Sequence, residues 1–106
     1  MEEFRKALEN VDVILGPTTP ITAWKIGEWT VDVGGEQESV LAASWRFTYP
    51  YNLTGLPAIS VPCGFDRAGL PIGLQIAARP FDEMTLLRVA HAYERGHEWK
   101  ERLPNI

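Results

Sequence analysis

Cysteine and histidine are nearly missing from this chain. Its one cysteine, Cys63, leaves nothing to pair with in an internal disulfide, and no paired-cysteine spacing suited to zinc exists. The two histidines, His91 and His97, are too few and too isolated to suggest a metal centre. Long apolar runs are absent too, and none nears the ~20 residues that span a bilayer. The opening residues, Met1 to Lys6, carry both charges and lack the apolar stretch of a secretory leader. Nor does one sign of charge dominate. Ten Lys and Arg stand against fourteen Asp and Glu, a net charge of -4, and the basic residues are scattered from Arg5 to Arg102. Nucleic-acid binding therefore has no electrostatic footprint. The expectations are cytoplasmic residence, no cofactor, no metal, and neither nucleic acid nor membrane as partner.

What remains is ordinary globular material: 45% hydrophobic and 23% charged residues, without a low-complexity tract. A length of 106 residues predicts one domain, 1–106, with a modest core. Met1 to Asn10 reads as a short helix with Phe4, Ala7 and Leu8 on one face. The β-branched run Val11 to Leu15 predicts a buried strand, ended by Gly16-Pro17 and a rigid loop through Pro20. Ile21 to Gln37 reads as loop or exposed hairpin, with Thr30 to Val33 as a short strand. Glu38 to Thr48 has helical spacing, which Pro50 should end, and Asn52 to Pro57 reads as a turn. Ala58 to Phe65 and Pro71 to Ala78 are extended. The turn Asp66-Arg67-Ala68-Gly69 between them predicts an antiparallel hairpin, with Pro62 at an edge or bulge. Asp82 can cap a helix that runs to Gly96. The order predicts an α/β fold: a small mixed sheet containing an antiparallel hairpin, flanked by helices.

Three stretches carry a resemblance. Phe47-Thr48-Tyr49-Pro50-Tyr51-Asn52-Leu53-Thr54-Gly55-Leu56-Pro57-Ala58-Ile59-Ser60-Val61-Pro62-Cys63-Gly64 is similar to a block near the end of amidase-signature enzymes. So is Gly69 to Ile76 followed by Arg79-Pro80-Phe81-Asp82-Glu83, and so is the earlier Asp12 to Thr18. The resemblance extends over nearly the whole chain and is weakest between Ile21 and Ser44. It implies a segment of the amidase-signature fold, a large sheet wrapped by helices in chains several times longer. It also implies amide hydrolysis in full-length relatives, through a serine nucleophile, a bridging serine and a lysine. Those residues lie in earlier segments of the family. Here Ser39, Ser44 and Ser60 sit in no Gly/Ser-rich run, and Lys6, Lys25 and Lys100 accompany none, so no residue of this chain is assigned a catalytic role.

The resemblance does imply a substrate-cleft role for the helix before Pro50, which presents Trp45, Arg46 and Tyr49. The tRNA-linked amidotransferase subunit of the family has an acidic residue near the Trp45 position to grip glutamine, which favours a general amidase relative. Core packing or solvent exposure competes with the cleft role for Arg46 and Tyr49. Elsewhere the ordinary reading wins: Cys63 as a structural thiol, Ser60 as a hydrogen-bonding partner to a nearby loop, His91 as a surface residue, and Gly55, Gly64, Gly69 and Gly73 as sites of positive φ or close backbone approach. The expected partners are a second copy, joined edge to edge as a twofold dimer, or a chain carrying the missing N-terminal amidase portion.

Overall fold

The computed structural model describes residues 1–105. Its central feature is a three-stranded sheet of β1 (Val13–Pro17), β4 (Ala58–Phe65) and β5 (Pro71–Ala78), in the order β1-β5-β4. The α/β architecture and the hairpin stand as expected, but both pairings in this sheet are antiparallel, so the sheet is not mixed. A second, two-stranded sheet joins β2 (Thr30–Val33) to β3 (Glu36–Ser39). Its two-residue turn needs left-handed backbone at both positions, which Gly34 (φ 62°) and Gly35 (φ 93°) supply.

Alternation divides the main sheet into two faces. Ile59, Val61, Leu74, Ile76 and Ala78 point to one face, where Leu86 and Ala90 of α4 (Glu83–Arg95) cover them. Asp82 caps α4 by accepting from the Thr85 amide at 3.3 Å, and Gly96 closes it. The opposite face carries Ser60, Gly73, Gln75 and Ala77 and meets the segment around α3 (Tyr49–Thr54). Near it lies α1 (Glu2–Ala7), whose Phe4 ring packs 5.5 Å from that of Tyr51. Arg79 ties α1 and the start of β1 to the end of β5: its Nε donates to the Leu8 carbonyl at 3.0 Å and its Nη2 to that of Val11 at 2.8 Å.

Two expectations around the middle of the chain are corrected. The helical stretch expected over Glu38 to Thr48 begins as strand, continues as α2 (Val40–Trp45) and breaks at a turn, Thr48 N to Trp45 O at 3.1 Å. Pro50 does not end a helix. It sits in the first turn of α3, where its missing amide costs nothing, so Asn52 is helical and the turn comes only at Gly55 (φ 70°). β1 is likewise displaced and is not the buried strand expected over Val11 to Leu15: it starts at Val13, runs through Gly16 and Pro17 because at a sheet edge the proline need donate to no neighbour, and leaves Leu15 exposed.

The chain is more open than its length predicts. Its Cα radius of gyration is 15.3 Å, against about 13 Å for a compact domain of this size. Its accessible surface is 7856 Å², roughly 2,000 Å² above the value for a folded monomer of its mass. Leu15, Trp29, Leu53, Phe81 and Met84 all stand exposed.

Candidate functional site

The segment singled out by sequence bridges two helices and does not belong to one. Trp45 ends α2, Arg46 caps it, and Tyr49 opens α3. Trp45 and Tyr49 are 57% and 55% exposed, so neither is a core residue. Arg46 behaves differently: its Nη2 donates to the Glu38 carboxylate of β3, which offsets its charge. Arg46 also lines a cleft of about 180 Å³ together with Phe4, Phe47, Tyr51 and Gln75. Burial raises the pKa of the Tyr51 phenol.

Gln75 is the residue that sequence reasoning missed. It is the one buried polar side chain of the described residues, on the central strand, and its Nε2 donates to the Phe47 carbonyl at 2.9 Å. That bond fixes the loop carrying Arg46 and Tyr49 to the sheet. The signal that could have found it was an amide side chain inside the otherwise apolar run Leu74 to Ala78.

Two of the three serines are engaged locally. Ser60 Oγ lies 2.5 Å from Thr18 Oγ1, so Ser60 does bond a neighbouring loop as expected. Gly73 makes that contact possible, since a Cβ there would stand 2.7 Å from both hydroxyl oxygens. Ser44 Oγ donates to the Leu41 carbonyl at 3.2 Å, and Ser39 begins α2 without a side-chain cap bond. Lys6 lies 3.8 Å from Glu2, and the backbone amide of Lys25 donates to Glu28. Cys63 is half-buried at a bulge between Pro62 and Gly64, and its thiol donates to the Ile72 carbonyl at 3.5 Å. His91 is exposed, and His97 stacks on Tyr93 with ring centroids 4.3 Å apart. Among the described residues no group of three or more His, Cys, Asp or Glu could hold a metal ion, and no helix is long and apolar enough to cross a membrane.

Asp66 organises the β4–β5 turn. Its Oδ1 accepts from the Leu70 and Ala68 amides, both at 2.9 Å, and its Oδ2 from the Thr22 hydroxyl at 2.8 Å, which pins the loop after β1. The Leu70 amide, then the Thr22 hydroxyl, hold the carboxyl below its ordinary value. A depressed folded-state pKa contributes stability that is complete above the unfolded value, about 3.9, and is lost as pH falls through the lower folded value. Asp66→Asn should therefore flatten the acid limb of a stability-versus-pH curve. An unchanged limb in acid-unfolding measurements would show that Asp66 does not set it.

A family model described as Amidase matches residues 1–87. The A subunit of the glutamyl-tRNA(Gln) amidotransferase of Myxococcus xanthus is 50% identical over 101 residues, covering 95% of this chain and 20% of that protein. Its counterpart from Brevibacillus brevis is 52% identical over 105 residues, 98% of this chain and 20% of the relative. Among solved structures, an amidase superposes with a TM-score of 0.86 at 27% identity, over 92% of this chain and 22% of its own. The 6-aminohexanoate cyclic dimer hydrolase superposes with a TM-score of 0.81 at 35% identity, over 98% of this chain and 23% of its own. This chain thus spans about a fifth of the length of the curated relatives it matches. Identity is higher to the amidotransferase subunits than to these two structures, which runs against the general amidase relative expected from Trp45.

Proposed function

The chain belongs to the Amidase family, and on that premise we propose that it is the C-terminal segment of an amide-hydrolysing enzyme, inactive alone and completed by a polypeptide that carries the Gly/Ser-rich portion. The observation that carries this reading is the match itself: it takes in nearly all of this chain and only about a fifth of each relative. The local engagement of Ser44 and Ser60 supports it, and among the described residues neither Lys6 nor Lys25 bonds a serine hydroxyl. A serine nucleophile without an adjacent base is a weak one.

In the completed enzyme the serine–serine–lysine group comes from the partner. A serine oxygen attacks the amide carbonyl, the amine departs with a proton, and water releases the acyl group. This chain contributes one wall. Trp45 and Tyr49 present two aromatic surfaces there, and Arg46 is restrained by Glu38. By the family resemblance Trp45 falls around the position where the tRNA-linked subunit commonly holds an acidic residue, and an exposed aromatic side chain there suits an amide with an uncharged, apolar flank.

The test is turnover of a simple aryl amide by this chain, by the Myxococcus xanthus relative shortened by the stretch this chain matches, and by the two mixed. Turnover only in the mixture is expected. Hydrolysis by this chain alone, abolished on substituting Ser39, Ser44 or Ser60, would overturn the reading, and so would a mixture that stays at background.

A further inference from the structure

A larger cleft, of about 470 Å³, opens where the β4–β5 turn meets the short 3-10 turn Trp99–Glu101 that follows α4. Phe65, Leu70, Pro71, Trp99 and Leu103 give it an apolar wall, and Arg102 is the one charged side chain among the described residues that line it. Small-molecule sites have this build: about 300–1,000 Å³, mostly apolar, with a few polar groups that fix orientation.

Two of its polar groups lack a partner. The Trp99 indole Nε1 is the one buried side-chain nitrogen or oxygen among the described residues that bonds to nothing. A buried indole N–H ordinarily finds an acceptor, because it has given up its bond to water. Arg102 forms an ion pair with none of the described carboxylates. Its guanidinium instead lies 4.1 Å above the Phe65 ring, which meets the Trp99 ring edge-on at 6.1 Å. The Arg102 amide donates to the Trp99 carbonyl at 3.3 Å, and in a 3-10 turn side chains three apart eclipse, so indole and guanidinium project the same way. The chain holds fourteen Asp and Glu, yet no acid lines this wall, which leaves the Arg102 charge open to an anion.

We propose that this cleft binds a small aromatic carboxylate. The ring lies against Phe65, Leu70 and Pro71, and the carboxylate pairs with Arg102 and accepts from the Trp99 indole. The planar guanidinium fork matches a carboxylate, whereas a bare inorganic anion would leave the apolar wall in water. Every group the proposal uses belongs to this chain, so the site stands independently of the proposed function.

The experiment titrates 1-naphthylacetate into the full chain, followed by calorimetry and by the NMR signal of the Trp99 indole N–H, which Trp99→Phe identifies by its loss. 1-Naphthylacetamide, of the same shape without the charge, is the paired probe. The acid should bind with a Kd of about 1 mM or tighter and shift the Trp99 signal, while those of Trp24, Trp29 and Trp45 stay in place. The amide should bind about threefold to tenfold more weakly. Arg102→Gln should erase the difference between the two probes while keeping the circular dichroism of the parent. Comparing acid with amide on the parent chain needs no variant, so the proposal can fail there: no binding of the acid, or equal affinity for both probes, would overturn it. So would an unmoved Trp99 signal, or a preference for the acid that survives in Arg102→Gln. A cleft filled by a second copy would show as a dimer that excludes both probes, and would overturn it as well.

Discussion

Ile76→Ala should lower the stability of this chain by about 2–5 kcal/mol. Ile76 is fully buried, at 0% exposure, in the middle of the central strand. It lies between Ile59 of β4 and Leu15 of β1 and beneath α4, where Leu86 and Ala90 complete its surroundings. Truncation loses the transfer free energy of the missing carbons and leaves a cavity that neighbours on two strands and a helix cannot all move to fill. Folded domains hold only about 5–15 kcal/mol in total, and this one leaves much apolar surface in water, so the fraction folded should drop visibly. Urea unfolding followed by circular dichroism measures it. Leu87→Ala, one residue along α4 on an exposed site, is the control and should shift stability by less than about 1 kcal/mol. Equal effects at the two positions would mean that the contact between sheet and α4 does not hold the chain together.

Gln75→Leu should cost about 1–3 kcal/mol, although leucine is the more apolar side chain. The substitution keeps the volume roughly constant and removes the side-chain donor at the Phe47 carbonyl, so that the carbonyl must find water or remain unpaired. A loss of this size with unchanged secondary structure separates it from a simple packing defect. The functional consequence should fall on the segment from Trp45 to Tyr49. Hydrogen exchange there should quicken, and in the complemented enzyme KM should rise more than kcat falls, because a wall of the cleft is displaced and no reacting group is removed. Unaltered exchange over Trp45 to Tyr49 would remove Gln75 from any role in positioning that wall.

Much of the fold was legible because its signals are local. Asp66 and Gly69 specify the β4–β5 turn through bonds to amides within four residues. Asp82 and Gly96 mark both ends of α4 through contacts made within one helical turn. Pro62 announced an edge or a bulge, and the structure has both, since no central strand tolerates a residue without an amide. The motifs from Asp12 to Glu83 identified the family for the same reason: they are residues in order, and order is what a sequence records.

Other features depended on residues far apart in the chain. Trp45, Arg46 and Tyr49 were expected on the helix before Pro50, yet Pro50 lies in the first turn of α3 instead of ending α2, and the three divide between two elements. Spacing alone does not distinguish a proline that stops a helix from one that opens the next. The placement of β1 beside β5 and not beside β4, the pairing of Thr18 with Ser60 across 42 residues, and the anchoring of Phe47 by Gln75 across 28 were settled only in three dimensions. The sequence by itself determined the family, the hairpin and the capped helix, because turn chemistry and side-chain period act between near neighbours. Tertiary structure alone decided which strands lie at the sheet edges and which side chain holds the cleft segment, because a buried amide and an edge strand are defined by what packs against them.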